Sequence, residues 1–221
     1  MKLFLDAIIK YVMGLLFVVA MVFLPAGSLE FWNGWLFIGL LFVPMFLLGI
    51  VLLWKAPELL RKRLNAKEKM SDQQGVVAVS GLMFLAGFVV AGLDHRFGWS
   101  VMPQWVVMAA AAVFLISYAL YAEVMRENEY LSRTIEVQKG QKVIDTGMYG
   151  IVRHPMYMVT MWLFIAIPIV LGSWYALILF LAYPAVIAVR IRGEEQLLEA
   201  ELPGYKEYKN KVKYRMIPFI W

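Results

Sequence analysis

The chain alternates long apolar runs with short charged segments. Four runs approach the roughly 20 residues that a membrane-spanning helix needs, and they cover residues 8–24, 31–54, 76–93 and 105–121. Two shorter runs, 158–171 and 174–189, follow and are separated only by Gly172 and Ser173. This pattern predicts an all-α integral membrane protein with about six transmembrane segments, the last two forming a tight helical hairpin.

Prolines modify the predicted hairpin. Pro168 and Pro184 lie inside its two arms and are expected to kink them, which a membrane helix tolerates when neighbouring groups satisfy the freed backbone. The first apolar run is longer than the core of a signal peptide and is followed by further spans. We therefore interpret it as an uncleaved anchor.

Two polar segments have patterns of their own. Residues 55–75 carry Leu59, Leu60 and Leu64 among charges, which fits either a short helix lying in the membrane interface or a solvated basic loop. Residues 134–147 alternate apolar and polar side chains around Lys139 and Gly140. That alternation predicts a small β-hairpin.

The distribution of basic residues predicts the orientation. If the two termini and the segments 55–75 and 122–157 share one side, that side holds all of the 21 Lys and Arg residues except Arg96. Because basic residues accumulate on the cytoplasmic side, we expect both termini to be cytoplasmic. The formal net charge of +5 is thus explained by topology, and we expect no nucleic-acid partner.

Composition narrows the chemistry. The chain is 62% apolar and 17% charged, whereas soluble domains are nearer 45–50% and 25%. The absence of cysteine excludes disulfides, thiol catalysis and iron–sulfur ligation within the chain. The two histidines, His95 and His154, argue against a multi-histidine metal site, and we expect no metal.

Charged groups next to membrane segments are candidates for function. They form three clusters, at 125–132, 145–157 and 190–218, all on the predicted cytoplasmic side. The hairpin should bring the second and third clusters together. Each cluster also has a purely structural interpretation, as topology-setting arginines, solvated glutamates and an interfacial belt of tyrosines.

The motifs in these clusters resemble those of the isoprenylcysteine carboxyl methyltransferase family. They are "TGMYGIVRHPMY", then the hairpin, then "RIRGEE" and "LPGYKEYKNKVKYRMIP", and the resemblance runs from about residue 128 to residue 221. Phospholipid N-methyltransferases and membrane sterol reductases share parts of this arrangement. The resemblance implies transmembrane helices over 1–121 and a cofactor-binding catalytic region over 122–221, within one membrane domain.

The resemblance also implies S-adenosylmethionine as cofactor and assigns residues to it. By matching position, the cofactor-binding residues would be Tyr149, His154, Pro155, Tyr157, Glu194 and Glu195. Arg190 is the first candidate for holding an acceptor carboxylate, and Arg153 is the second. Glutamates and tyrosine faces suit a cofactor that carries a sulfonium and an ammonium.

The acceptor has alternatives. An isoprenylcysteine-like carboxylate is already anionic and needs an arginine in a dry site, whereas a lipid amine needs a base such as Glu194, Glu195 or His154. Two positions of the hairpin depart from the family: Val159 replaces a frequent glycine, and Ile167 precedes Pro168 where the eukaryotic enzymes have asparagine. These changes bear on the acceptor more than on the cofactor.

Three functions follow as hypotheses. The first is a methyltransferase in a bacterial inner membrane that acts on a lipophilic small molecule or a lipidated substrate and has membrane lipids as further partners. The second is an NADPH-dependent reductase of the sterol type, and the third is a non-catalytic membrane scaffold. The oligomeric state is not predicted.

Overall fold

The computed structural model describes residues 2–65, 71–132 and 134–221. Over these residues the chain is helical and contains no β-strand. The helices are α1 (Lys2–Ala26), α2 (Trp32–Lys55), α3 (Pro57–Leu64), α4 (Ser71–Phe97), α5 (Gln104–Glu127), α6 (Pro155–Val170), α7 (Trp174–Phe180), α8 (Tyr183–Glu201) and α9 (Tyr205–Lys211), with a 3₁₀ turn at Gly147–Gly150.

Five stretches of the described chain are long and apolar enough to cross a membrane. They are α1, α2, α4, α5 and the continuous stretch Trp174–Glu201, which contains α7 and α8. Helix α6 has 16 residues and is therefore about 24 Å long, somewhat shorter than a hydrocarbon core of about 30 Å. Each predicted apolar segment is helical, and the predicted all-α integral membrane fold is confirmed.

The predicted hairpin is present, and its second arm is broken. Gly172 turns the chain with φ +78°, and the Ser173 hydroxyl accepts a hydrogen bond from the N–H of Ala176 to cap α7. Pro184 does more than kink the arm: α7 ends at Phe180 and α8 begins at Tyr183, with the proline in its first turn. Proline is tolerated there because the first N–H groups of a helix have no intrahelical acceptor.

Most helices pack around one large apolar core, and two smaller apolar clusters are separate from it. Helix α5 lies along α6, α1 lies along α4, and α4 also contacts α7 and α8. Fully buried rings of Phe37, Phe114 and Phe180 fill the centre. Helices α4, α6 and α8 therefore surround a common space.

The segment 57–64 forms the short helix α3, which confirms the helical alternative. Leu59 and Leu60 are buried. Lys62 Nζ donates to the carbonyl of Glu129 at 3.1 Å, and Arg63 also reaches the loop after α5. Helix α3 is thus fastened to the loop that precedes α6.

The predicted β-hairpin over 134–147 is wrong. The chain does turn at Gly140, which has φ +77°, and the N–H of Gln141 donates to the carbonyl of Gln138 at 3.0 Å. The backbone N–H of Gln138 donates to the side-chain oxygen of Gln141. The side-chain amide of Gln138 donates to the carbonyl of Tyr130. Local side-chain hydrogen bonds thus replace a strand ladder.

The basic segments meet at one end of the bundle. Lys10 Nζ donates to the carbonyl of Leu64 at 3.1 Å, and Lys211 pairs with Asp145 at 2.7 Å. The side chain of Arg96 instead lies against Gly27 at the opposite end. The charge segregation predicted along the chain therefore exists in three dimensions.

We expect the Gly92→Ala substitution to weaken the contact between α1 and α4. A Cβ at Gly92 would lie 2.6 Å from the Val22 carbonyl oxygen and 2.9 Å from the Ala26 nitrogen, and backbone atoms cannot yield. Such overpacking costs about 1–3 kcal/mol, so the melting temperature in detergent should fall. Gly39→Ala is the control, since no atom lies within 4 Å of its Cβ position; equal melting temperatures for the two variants would contradict the prediction.

Candidate active site

The N-terminus of α6 is held by the C-terminal tail, which is the segment 212–221 that follows α9. His154 is the N-cap residue and Pro155 occupies the first turn, where its missing N–H costs nothing. The backbone N–H of Arg153 donates to the carbonyl of Tyr214 at 2.9 Å, and that of His154 donates to the carbonyl of Arg215 at 2.8 Å. These two bonds fix the position from which the Arg-His-Pro motif enters the helix.

A buried ion cluster lies beneath this junction. Glu195 accepts hydrogen bonds from Arg153 Nε at 2.7 Å and Arg215 Nε at 3.0 Å, and His154 Nε2 lies 3.3 Å away. Arg153 Nη1 also donates to the carbonyls of Val212 and Lys213, at 2.7 and 2.8 Å. The carboxylate thus has three partners, as a buried charge requires.

A second group of polar side chains is centred on Tyr157, which lies about one helical turn after His154. The Tyr157 hydroxyl donates to Glu194 Oε2 at 2.6 Å and accepts from Arg190 Nε at 3.1 Å. Arg190 is buried, while Tyr157 and Glu194 are half-buried. Because residues four apart lie on the same helix face, Arg190 and Glu194 point in the same direction from α8.

The two adjacent glutamates therefore have different environments. Successive residues of an α-helix point about 100° apart, since 3.6 residues make one turn. Glu194 lines the cavity between the helices, whereas Glu195 faces the ion cluster and does not line it. The pair predicted to act together is divided between a ligand-accessible position and a buried one.

Tyr149 is positioned by the C-terminal end of α5 and by α9. Its hydroxyl accepts from Asn128 Nδ2 at 2.9 Å, and its carbonyl accepts from the Tyr208 hydroxyl at 2.7 Å. The Glu127 carboxylate accepts from the N–H of Met148 at 3.1 Å. Glutamate and asparagine side chains therefore determine where the 3₁₀ turn presents Tyr149.

One cavity of about 470 Å³ connects these groups. Its polar end is formed by the loop after α5, the Arg-His-Pro motif and α9, and its apolar end lies between α4, α6 and α8. The polar end is lined by Val143, Tyr149, His154, Tyr157, Glu194, Leu198, Leu202 and Tyr205, and the apolar end by Val77, Gly81, Phe84, Thr160, Phe164, Tyr183 and Ile187. Arg190 lies between the two ends.

Three tyrosines near the polar end of the cavity have raised pKa values. Burial raises the pKa of Tyr149, Tyr205 and Tyr208, and in Tyr205 the neighbouring charges of Glu195 and Glu194 raise the pKa further. A raised tyrosine pKa leaves the hydroxyl neutral at every physiological pH. The hydroxyls of Tyr149 and Tyr208 make hydrogen bonds with Asn128 and with the Tyr149 carbonyl, whereas the buried Tyr205 hydroxyl has no partner among the described residues.

The match to known proteins falls on these residues. The segment 105–200 matches the isoprenylcysteine carboxyl methyltransferase (ICMT) family. The matched segment runs from α5 to the end of α8 and contains every residue predicted for the site. The resemblance drawn from the motifs is confirmed over residues 128–200, which contain the first two motifs and the hairpin, whereas "LPGYKEYKNKVKYRMIP" lies beyond the matched segment. The match supports a membrane methyltransferase.

A curated relative matches in part. The Delta(14)-sterol reductase of Mus musculus is 31% identical over 91 residues, which are 40% of this chain and 22% of that protein. The chain therefore spans about a fifth of the length of this relative. This partial similarity agrees with the expectation that membrane sterol reductases share parts of the motif arrangement.

The structure brings most of the predicted residues to one place. Tyr149, His154, Tyr157, Arg190, Arg153 and Glu194 all line the cavity, and Pro155 begins the helix behind them. The prediction missed Arg63, which lines the same cavity from α3 and donates to the Tyr121 hydroxyl. The sequence shows that Arg63 is charged and lies in an amphipathic segment. It contains no motif that links residue 63 to residue 121, so the contact could not be predicted.

We expect Gly147→Ala to destabilise the protein more than Gly140→Ala does. Both glycines have positive φ, +54° and +77°, which costs an alanine about 1–2 kcal/mol. A Cβ at Gly147 would in addition overlap the Glu127 carboxylate, whereas no atom lies within 4 Å at Gly140. Thermal unfolding of the two variants measures the difference, and equal losses would show that Glu127 does not hold this turn.

Proposed function

We propose that this protein is an integral membrane methyltransferase of the ICMT type that uses S-adenosylmethionine to methylate the carboxylate of a lipophilic, isoprenylcysteine-like acceptor. The observation that carries the proposal is the single cavity that joins a charged end to an apolar end inside a helical membrane bundle. A polar cofactor and a hydrocarbon-soluble acceptor need such a shared chamber.

The residues at the polar end fit the proposed cofactor. Glu194 offers a carboxylate to a cationic group, and Tyr157 offers an aromatic face to a sulfonium. Leu198, Leu202, Tyr205 and Val143 contribute apolar and aromatic surface that would suit a planar base. The cavity volume of about 470 Å³ falls in the usual range for small-molecule sites, about 300–1,000 Å³.

The proposed chemistry requires positioning more than acid or base groups. Bound S-adenosylmethionine would supply a methyl group activated by its sulfonium. Arg190, which lies between the charged and apolar ends, would orient the acceptor carboxylate, while the apolar walls exclude water and leave the carboxylate poorly solvated. Tyr157 holds the Arg190 guanidinium through the 3.1 Å bond to Nε.

Arg153, His154 and Glu195 take positioning roles in this proposal. The donors of Arg153 go to Glu195 and to two carbonyls of the tail, so its function is to hold the cavity wall together. Glu195 holds Arg153 and Arg215 in turn, and His154 adds a contact at 3.3 Å.

The proposed site faces the cytoplasm. The basic segments that meet at the polar end of the bundle hold nearly all of the Lys and Arg residues, and such residues accumulate on the cytoplasmic side. Both termini would then be cytoplasmic as well. A soluble cofactor would enter from that side and a lipid acceptor from the bilayer.

The second candidate function is an NADPH-dependent sterol-type reduction, and the partial match to a Delta(14)-sterol reductase favours it. The two candidates differ in their cofactor. A ligand that binds the native state raises its melting temperature, so we expect stabilisation by S-adenosylmethionine and none by NADPH. Stabilisation by NADPH alone would reverse the order of the two candidates.

We expect Glu194→Gln to weaken S-adenosylmethionine binding by about 10- to 100-fold, because a charge-assisted bond of about 1.5–3 kcal/mol is lost. Isothermal titration with protein in nanodiscs measures the affinity. Glu201→Gln, at an exposed position at the end of the same helix, is the matched control and should leave affinity unchanged. Equal affinities in both variants would remove Glu194 from the cofactor site.

We expect Arg190→Lys to lower kcat/KM for an acceptor carboxylate at least about tenfold, because lysine keeps the charge but lacks the planar guanidinium. The probe is S-farnesyl-N-acetylcysteine, and cofactor affinity should change much less. Arg192→Lys, on an exposed face of α8, is the control. Full activity of Arg190→Lys would show that charge alone suffices, as in a topology signal.

A further inference from the structure

The apolar end of the cavity is lined by aromatic rings from three helices, each of them the lining residue of its helix that lies farthest from the polar end. Phe84 of α4 meets Phe164 of α6 edge to face, with ring centroids 4.7 Å apart. Phe164 meets Tyr183, the first residue of α8, at 4.9 Å in a similar geometry. All three rings line the cavity. We call them the ring stop.

The ring stop is supported from behind. Phe180 is fully buried and its ring lies 5.3 Å from that of Phe84. A Cβ at Gly87 would overlap Phe180, so the Phe180 ring fills the notch that this glycine leaves. The Tyr183 hydroxyl lies 3.4 Å from Thr160 Oγ1, which holds the third ring. The space behind Phe84 is therefore filled by the Phe180 ring.

The distance from the reacting end to the ring stop is short. Arg190 and Tyr183 both belong to α8, and seven residues of an α-helix span about 10 Å. Ile187 and Thr160 line the space between them. An apolar chain that starts at Arg190 therefore meets the rings within the length of a short prenyl or acyl group.

We propose that Phe84, Phe164 and Tyr183 set the length of the apolar chain that the acceptor places in the cavity. The proposal rests on the proposed function, because it takes Arg190 as the anchor of the acceptor carboxylate. It identifies the substrate class more narrowly, as carboxylates whose buried hydrocarbon ends at the rings. Phe84 is the most informative of the three, because its ring contacts both Phe164 and the supporting Phe180.

The test compares Phe84→Ala with the wild-type protein on acceptors of increasing length. The probes are S-geranyl-, S-farnesyl- and S-geranylgeranyl-N-acetylcysteine, with the protein in nanodiscs. Thermal stabilisation by each probe is measured without cofactor and with S-adenosylhomocysteine, and kcat/KM is measured with S-adenosylmethionine. Phe84→Leu repeats the series with a smaller change of volume, in case the alanine variant does not fold.

Phe88→Ala is the matched control. Phe88 lies one helical turn from Phe84, is 6% exposed, and its ring packs against Phe37 and Phe84. It is not among the residues that line the cavity. The two substitutions remove the same ring from the same helix, so they share the general loss of packing and differ in access to the acceptor.

We expect the preference for the longest over the shortest probe to rise at least about tenfold in Phe84→Ala, because one methylene in an apolar pocket already changes kcat/KM by about 10- to 200-fold. Phe88→Ala should keep the wild-type preference. Identical length preferences in Phe84→Ala, Phe84→Leu and Phe88→Ala would overturn the proposal.

The two proposals fail in different ways. If the wild-type protein binds no S-adenosylmethionine or S-adenosylhomocysteine, the proposed function fails, and the thermal series without cofactor still tests the ring stop. If the wild-type protein methylates the probes and Phe84→Ala keeps its length preference, the ring stop fails and the proposed function stands.

Discussion

The site depends on the buried contact between Arg153 and Glu195. A charge removed from water is tolerated only when partners replace its hydration, and each of these two side chains supplies that for the other at 2.7 Å. Arg153 extends the contact to two carbonyls of the tail, and Arg215 returns from the tail to Glu195. Helix α6, helix α8 and the tail are consequently held at one point.

The arrangement of the cavity follows from that point. With Glu195 turned toward the ion cluster, the helix geometry directs Glu194 and Arg190 into the space between α4, α6 and α8, where Tyr157 contacts both. The charged end of the cavity lies where the chain leaves the apolar helices, and the ring stop lies among the spans. One cavity therefore offers two environments, which the proposed reaction between a soluble cofactor and a lipid acceptor would require.

Local patterns were sufficient for the helices and insufficient for the loops. Apolar runs specify membrane helices strongly, because every backbone group in a bilayer must be satisfied within the segment, and each predicted run is helical. The alternation over 134–147 led to a wrong prediction of a β-hairpin. Hydrogen bonds between Gln138 and Gln141 satisfy their backbone groups locally, and the described residues contain no strand with which they could pair. At Pro184 the sequence predicted a kink, and the structure has a two-residue break between α7 and α8.

The sequence alone determined the membrane character, the hairpin, the segregation of basic residues and the set of candidate residues, since each follows from composition, local periodicity or a contiguous motif. Only the tertiary structure decided that Glu194 and Glu195 separate, that Arg153 is occupied by the tail, and that Arg63 and Phe84 line the same cavity. The physical reason is distance along the chain. A contact between residues 153 and 195, or 84 and 164, leaves no local pattern, because it exists only after the helices have packed.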